Sequence, residues 1–137
     1  MSEKRTTGAL ILVVEDNATN ARLAGSMLEA AGYRVATAAD GEAGLRQCLA
    51  LHPAVVVTDL QMPGMDGLTL LRHLKANTET RDIPVIVLTA HVMHEHRDQA
   101  FLAGCASFIS KPVRYQSFTA EIEHVLRDSY TGACLES

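Results

Sequence analysis

Three apolar runs in this chain each end in a side chain suited to chemistry, and each is followed by residues with the period of a helix. Ala9-Leu10-Ile11-Leu12-Val13-Val14 leads into Glu15-Asp16, Ala54-Val55-Val56-Val57-Thr58 into Asp59, and Pro84-Val85-Ile86-Val87-Leu88 into Thr89. A run that stays apolar without alternating belongs to a strand buried on both faces, as in a parallel sheet covered by helices. In open α/β sheets the carboxyl edge of the strands is where ligands bind. The pattern therefore narrows the fold to a layered α/β sandwich and places reactive groups on one edge of it.

The remaining chain fills in that frame. Residues 1–8 read as a flexible tail. A first helix begins at Ala18, with Asp16 or Asn17 as its cap and Leu23, Met27, Leu28 and Ala31 as its inner stripe; Gly32 stops it. Residues 33–38 form a second strand with Val35 inside. Asp40 caps a second helix whose inner face is Leu45, Cys48 and Leu49, and Pro53 ends it. Asp66 caps a third helix carrying Leu68, Leu71 and Leu74, and Asp66-Gly67 is otherwise read as a turn without chemistry. The fourth helix, residues 93–103, is polar almost throughout, with Met93, Ala100 and Phe101 as its inward residues. So few anchors predict a loosely held helix. Residues 106–109 form a fifth strand, Ser110-Lys111-Pro112 follows, and a last helix presents Phe118, Ile122 and Val125. Residues 129–137 read as a flexible polar tail. Strand and helix alternate five times, which implies one parallel five-stranded sheet with helices on both faces. The most apolar strands belong at its centre, which fits the flavodoxin-like, doubly wound (βα)5 order 2-1-3-4-5. The expected domain spans residues 9–128.

Composition excludes several functions. The 137 residues carry a formal net charge of −4, which argues against a broad basic face for nucleic acid or anionic lipid. Cys48, Cys105 and Cys134 are widely spaced and odd in number, without a CxxC or zinc pattern, so free thiols in a reducing compartment are expected. The first eight residues lack the apolar centre of a signal peptide, and no apolar run reaches membrane-spanning length. The expected location is the cytoplasm.

Glu15, Asp16, Asp59, Thr89 and Lys111 all fall at or just beyond strand ends on the same sheet edge. Three carboxylates placed together repel one another, and a hard divalent cation relieves this. Mg²⁺ prefers one or two carboxylates and keeps several waters, so Asp16 and Asp59 are expected as direct ligands and Glu15 as one acting through water. With the Thr89 hydroxyl and the Lys111 ammonium added, the edge forms a pocket for a tetrahedral dianion. Asp59 is then a nucleophile for phosphorus. As isolated features the bland readings stand: Asp16 as a helix cap, Thr89 as a strand-end threonine, Phe108 as plain core. His91, His94 and His96 lack a third ligand and read as solvated.

Val14-Glu15-Asp16-Asn17, the stretch Asp59-Leu60-Gln61-Met62-Pro63-Gly64-Met65-Asp66-Gly67, Leu88-Thr89-Ala90 and Ser110-Lys111-Pro112 together resemble the receiver domain of two-component response regulators. The four motifs lie in register over residues 9–128. The resemblance implies a protein that is not an enzyme beyond its own phosphorylation and dephosphorylation. Asp59 is its phosphoacceptor, and Mg²⁺ or Mn²⁺ is held by Asp16, Asp59, the Gln61 backbone carbonyl and, through water, Glu15. It further implies Lys111 beside the acceptor with a cis bond to Pro112, Thr89 and Phe108 as a switch pair, and Gln61 and His91 as positions that tune phosphoryl lifetime. A histidine kinase or histidine phosphotransfer protein is the implied donor. The implied target is a downstream protein reading the face of the fourth helix, fifth strand and fifth helix, and the implied state is a monomer or weak dimer.

Four other readings compete. A phosphohydrolase with an aspartyl nucleophile needs a second Asp where this chain has Gln61. A flavodoxin needs a first loop that cradles phosphate, which Glu15-Asp16 would repel. A docking module that is never phosphorylated has no use for the complete acidic, Thr and Lys set. Met1 and the short polar end favour a free-standing protein over a receiver excised from a longer regulator or hybrid kinase.

Overall fold

The structure, a computed structural model, describes residues 8–62, 64–90, 94–111 and 113–136, with backbone alone at 94–96 and 128–136. In chain order the elements are β1 (Leu10–Val14), α1 (Ala18–Ala30), β2 (Arg34–Ala38), α2 (Gly41–Leu51), β3 (Val55–Asp59), α3 (Gly67–Ala76), β4 (Val85–Thr89), α4 (His94–Leu102), β5 (Ser107–Ser110) and α5 (Tyr115–Glu136). All strand pairings are parallel, in the order β2-β1-β3-β4-β5. This is the flavodoxin-like sandwich that the sequence pattern predicts. The three unalternated apolar runs are the three central strands, with β3 and β4 buried at every position. The edge strands β2 and β5 are half-exposed, which matches their mixed composition.

Each face of the sheet carries its own core. Leu12, Val56, Val85 and Val87 face α2, α3 and α4 and pack with Cys48, Leu70, Leu71, Leu74 and Ala100. Ile11, Val13, Val55, Val57, Ile86 and Leu88 face α1 and α5 and pack with Ala24, Leu28, Phe118, Ile122 and Val125. The helix starts follow the expected caps. Asn17, Asp40 and Asp66 accept from the backbone N–H three residues on, at 3.0, 2.8 and 2.8 Å. Since Asn17 takes the cap of α1, Asp16 is left for other work.

Several expectations are corrected. Leu23 is 54% exposed, because α1 turns Ala21, Ala24, Gly25 and Leu28 to the sheet and so packs closely through small residues. Phe101 is 43% exposed, lying under the Arg97 guanidinium at 5.7 Å, and the neighbouring Leu102 is 88% exposed. Ala100 is then the one fully buried side chain among those described on α4. The last helix runs from Tyr115 to Glu136, and no proline interrupts the stretch. Cys48 and Cys105 are buried free thiols, and burial pushes them up to about 12 and about 11. They are core residues. Residues 1–7, His91 and Met93 lie outside the described residues, as does Pro112, on which the expected cis bond depends.

The α5 anchor tests the second core. Phe118 is almost fully buried against the sheet, and its replacement by Ala is expected to cost about 3–5 kcal/mol through lost burial and a residual cavity. Urea unfolding should show the midpoint falling with an unchanged slope. A loss below about 1 kcal/mol would mean that α5 closes over the gap.

Candidate functional site

The backbone ladders run one residue past three of the strands, and this fixes the site. Glu15 N–H donates to Ala38 O at 2.9 Å, Leu60 N–H to Leu88 O at 2.8 Å, and Lys111 N–H to Thr89 O at 2.7 Å. Glu15 and Lys111 are thus held as rigidly as strand residues, and Asp59 is itself the last residue of β3.

Their side chains meet. Lys111 Nζ donates to Glu15 Oε1 at 2.9 Å and to Asp59 Oδ2 at 3.0 Å. Both carboxylates are buried. A buried charge without a partner is costly, so a single ammonium shared by two carboxylates is what allows β1 and β3 to end side by side in acids. The Asn17 backbone N–H donates to Glu15 Oε2 at 3.2 Å, which occupies the second oxygen of that carboxylate. Asp16 stands beside them and is exposed. Glu15, Asp16 and Asp59 can each bring one carboxylate oxygen within 4.8 Å of the others, the one such group among the described residues able to hold a metal ion. This all-oxygen, acid-rich donor set fits a hard divalent cation.

The electrostatics of Lys111 follow from its contacts. Burial alone lowers its pKa. The hydrogen bonds and charges of Glu15 and Asp59 outweigh burial and hold the ammonium above the ordinary lysine value.

The other predicted residues fall nearby. Thr89 is buried at the end of β4. Phe108 pairs with Val87 and Ser110 with Thr89. Since side chains two apart on a strand share a face, Thr89 and Phe108 point to the same side of the sheet, toward the core that Phe108 packs against. Gln61 is exposed in the loop after β3. His91 lies outside the described residues.

Two contacts at Asp59 escape sequence reasoning. The Thr58 hydroxyl donates to the Asp59 carbonyl at 3.0 Å. Gly67 lies so close to that carbonyl that a Cβ there would overlap its oxygen. The signal for the second was the Asp-Gly pair, which reads equally well as an ordinary turn.

Comparison with known proteins agrees with this geometry. The family model for the response regulator receiver domain matches residues 11–123. The polar-differentiation response regulator DivK of Brucella ovis is 34% identical over 119 residues, covering 87% of this chain and 97% of that protein. The response regulator PleD of Caulobacter vibrioides is 38% identical over 119 residues, covering 87% of this chain and 26% of that one. Among solved structures, the receiver domain of a sensor histidine kinase from Pseudomonas aeruginosa, with a magnesium ion coordinated in its active-site cleft, superposes with a TM-score of 0.81 at 29% identity. The match covers 88% of this chain and 98% of that one.

The shared ammonium makes stability depend on alkaline pH. A lysine whose folded pKa is raised contributes stability that is fully present below its unfolded value, 10.5, and is lost as pH climbs through the folded value. The gap in urea midpoint between wild type and Lys111→Met is therefore expected to stay constant through neutral pH and to shrink above 10.5. A gap that widened there would reverse the sign of the linkage.

Proposed function

The chain belongs to the response regulator receiver domain family of two-component signalling, and from that premise we propose that it is a phosphorylatable switch whose acceptor is Asp59. The observation that carries the reading is Lys111 bonded at once to Glu15 and to Asp59 at a central strand end.

In the proposed reaction a carboxylate oxygen of Asp59 bonds to the phosphorus of a phosphohistidine on a kinase or phosphotransfer protein. The phosphorus–nitrogen bond breaks, and its electron pair stays on the imidazole. Lys111 already lies 3.0 Å from Asp59 Oδ2 and offsets the negative charge as the phosphoryl oxygens arrive. Glu15 holds the ammonium from its other side and keeps it aimed. Mg²⁺ or Mn²⁺, when bound, supplies the charge that quiets the crowded carboxylates and polarises the phosphoryl group. Asp16, Asp59 and the Gln61 backbone carbonyl would hold it, with Glu15 acting through water. Gln61 and His91 tune how long the phosphoryl group survives, and loss of it to water returns the switch to rest.

The donor meets an apolar surface beside the site. A cavity of about 320 Å³ lies between α1 and the sheet, lined in part by Leu23, Ala24, Leu88, Val113 and Lys111. The exposure of Leu23 at its rim supports docking of a donor helix there. On the other side of the sheet, Thr89 donates to the phosphoryl group and Phe108 follows it inward, changing the face of α4, β5 and α5 that a downstream protein reads. Phosphorylation adds a charge of about −2, and it acts by shifting a population already sampled. Short and long proteins among the relatives both carry this domain, so the reading does not depend on what else it is joined to. No helix among the described residues is long and apolar enough to cross a membrane, and the proposed place of work is the cytoplasm, as a monomer or weak dimer.

Acetyl phosphate with Mg²⁺ should add one phosphoryl group to wild type and none to Asp59→Asn, read by intact mass. An equal adduct in the variant would remove Asp59 from the role. Thr89→Ala is expected to accept the group normally yet to respond poorly to beryllofluoride in amide exchange over residues 94–110. A full wild-type response there would mean that the threonine and Phe108 do not carry the signal.

A further inference from the structure

Two Asp-Gly pairs, Asp40-Gly41 and Asp66-Gly67, open α2 and α3. Capping explains the aspartates but not the glycines, since alanine is the better helix former at the next position. Backbone freedom does not explain them either. The described glycines at positive φ are Gly8, Gly32, Gly64 and Gly104, and neither Gly41 nor Gly67 is among them. What both supply is the absence of a Cβ. On Gly67 that atom would overlap the Asp59 carbonyl oxygen and stand 3.0 Å from Leu60 Cα. On Gly41 it would stand 2.6 Å from Met65 O and 2.8 Å from Met65 Cβ.

Both contacts fall on the chain that leaves the acceptor. Gly67 rests on the carbonyl of Asp59, and Gly41 rests on Met65 near the end of the loop. Gly67 N–H also donates to Leu60 O at 2.8 Å, while Leu60 N–H is tied to β4. Between these points Met62 is buried in the core of the α2 and α3 face. The loop that bears the Gln61 carbonyl is therefore seated against the first turns of two helices.

We propose that Gly67 and Gly41 are positioning residues for phosphoryl transfer. Their missing Cβ atoms let α3 and α2 close on the loop, and this sets where the Asp59 carboxylate and the Gln61 carbonyl stand. The proposal rests on the reading of Asp59 as acceptor. Gly67 meets backbone that cannot swing aside, so its effect is the larger. Gly41 also meets backbone, the Met65 carbonyl oxygen, but less closely, at 2.6 Å, so its effect is smaller and in the same direction.

The test compares Gly67→Ala and Gly41→Ala with Ile122→Ala, which weakens the core on the opposite face. Three quantities are read: urea stability, Mg²⁺ affinity by calorimetry on unphosphorylated protein, and amide exchange of Leu60, Gln61 and Met65 in metal-free protein. Gly67→Ala is expected to weaken Mg²⁺ binding about tenfold or more and to speed exchange in the loop. Ile122→Ala, at an equal or greater loss of stability, should keep wild-type Mg²⁺ affinity. Should Gly67→Ala fail to fold, Gly41→Ala decides with the smaller shift. Wild-type affinity and exchange in the folded glycine variants would overturn the proposal. So would equal weakening in Ile122→Ala, because general stability would then be the quantity sensed. Acetyl phosphate treatment of wild type is the separate control. If no adduct forms, the acceptor reading fails, and loop exchange alone then decides whether the glycines seat the loop.

Discussion

Lys111 stands between Glu15 and Asp59 at 2.9 and 3.0 Å, and much of the site geometry depends on that one shared ammonium. The parallel order sets β1 beside β3, so residues at their ends are forced into proximity whatever their charge. Without a cation two buried carboxylates at that junction would repel one another and push the strand ends apart. With it they stand adjacent and directed at one point. Asp16, exposed beside them, completes a group of three carboxylates whose oxygens can lie within 4.8 Å of one another.

The site joins a stiff half to a loose half. On the acceptor side, ladder bonds run beyond the strand ends and two helix starts press on the following loop. On α4, after β4, the restraint falls away. The described part of α4 commits one side chain fully to the core and leaves Phe101 and Leu102 to solvent. Among the described residues, packing is thus thinnest on α4.

Much of this was legible in advance, for identifiable reasons. The central strands announced themselves because burial on both faces removes alternation, and the aspartate caps because their side chains complete a known backbone geometry. The four site motifs could be placed on one edge because a parallel sheet sends all its strand ends the same way. Leu23 misled because hydropathy weighs side-chain size, while α1 approaches the sheet through Ala21, Ala24 and Gly25, which count for little on that scale. Phe101 misled likewise, since an aromatic ring under an arginine has no need of the core. The link from Glu15 to Lys111 was out of reach because it exists only in three dimensions. The glycines hid their role because a sequence does not distinguish a glycine chosen for its backbone angles from one chosen for space.

Glu15 and Lys111 lie 96 positions apart, yet their contact is part of the site. Bringing such distant residues together costs loop-closure entropy, which only the assembled sheet repays. A ribosome-bound chain that has not yet released β5 carries its acidic residues without the counter-charge that lets them crowd. On the reading given above, such a chain is deaf to its donor. On that same reading, competence to receive a signal is tied to completion of folding.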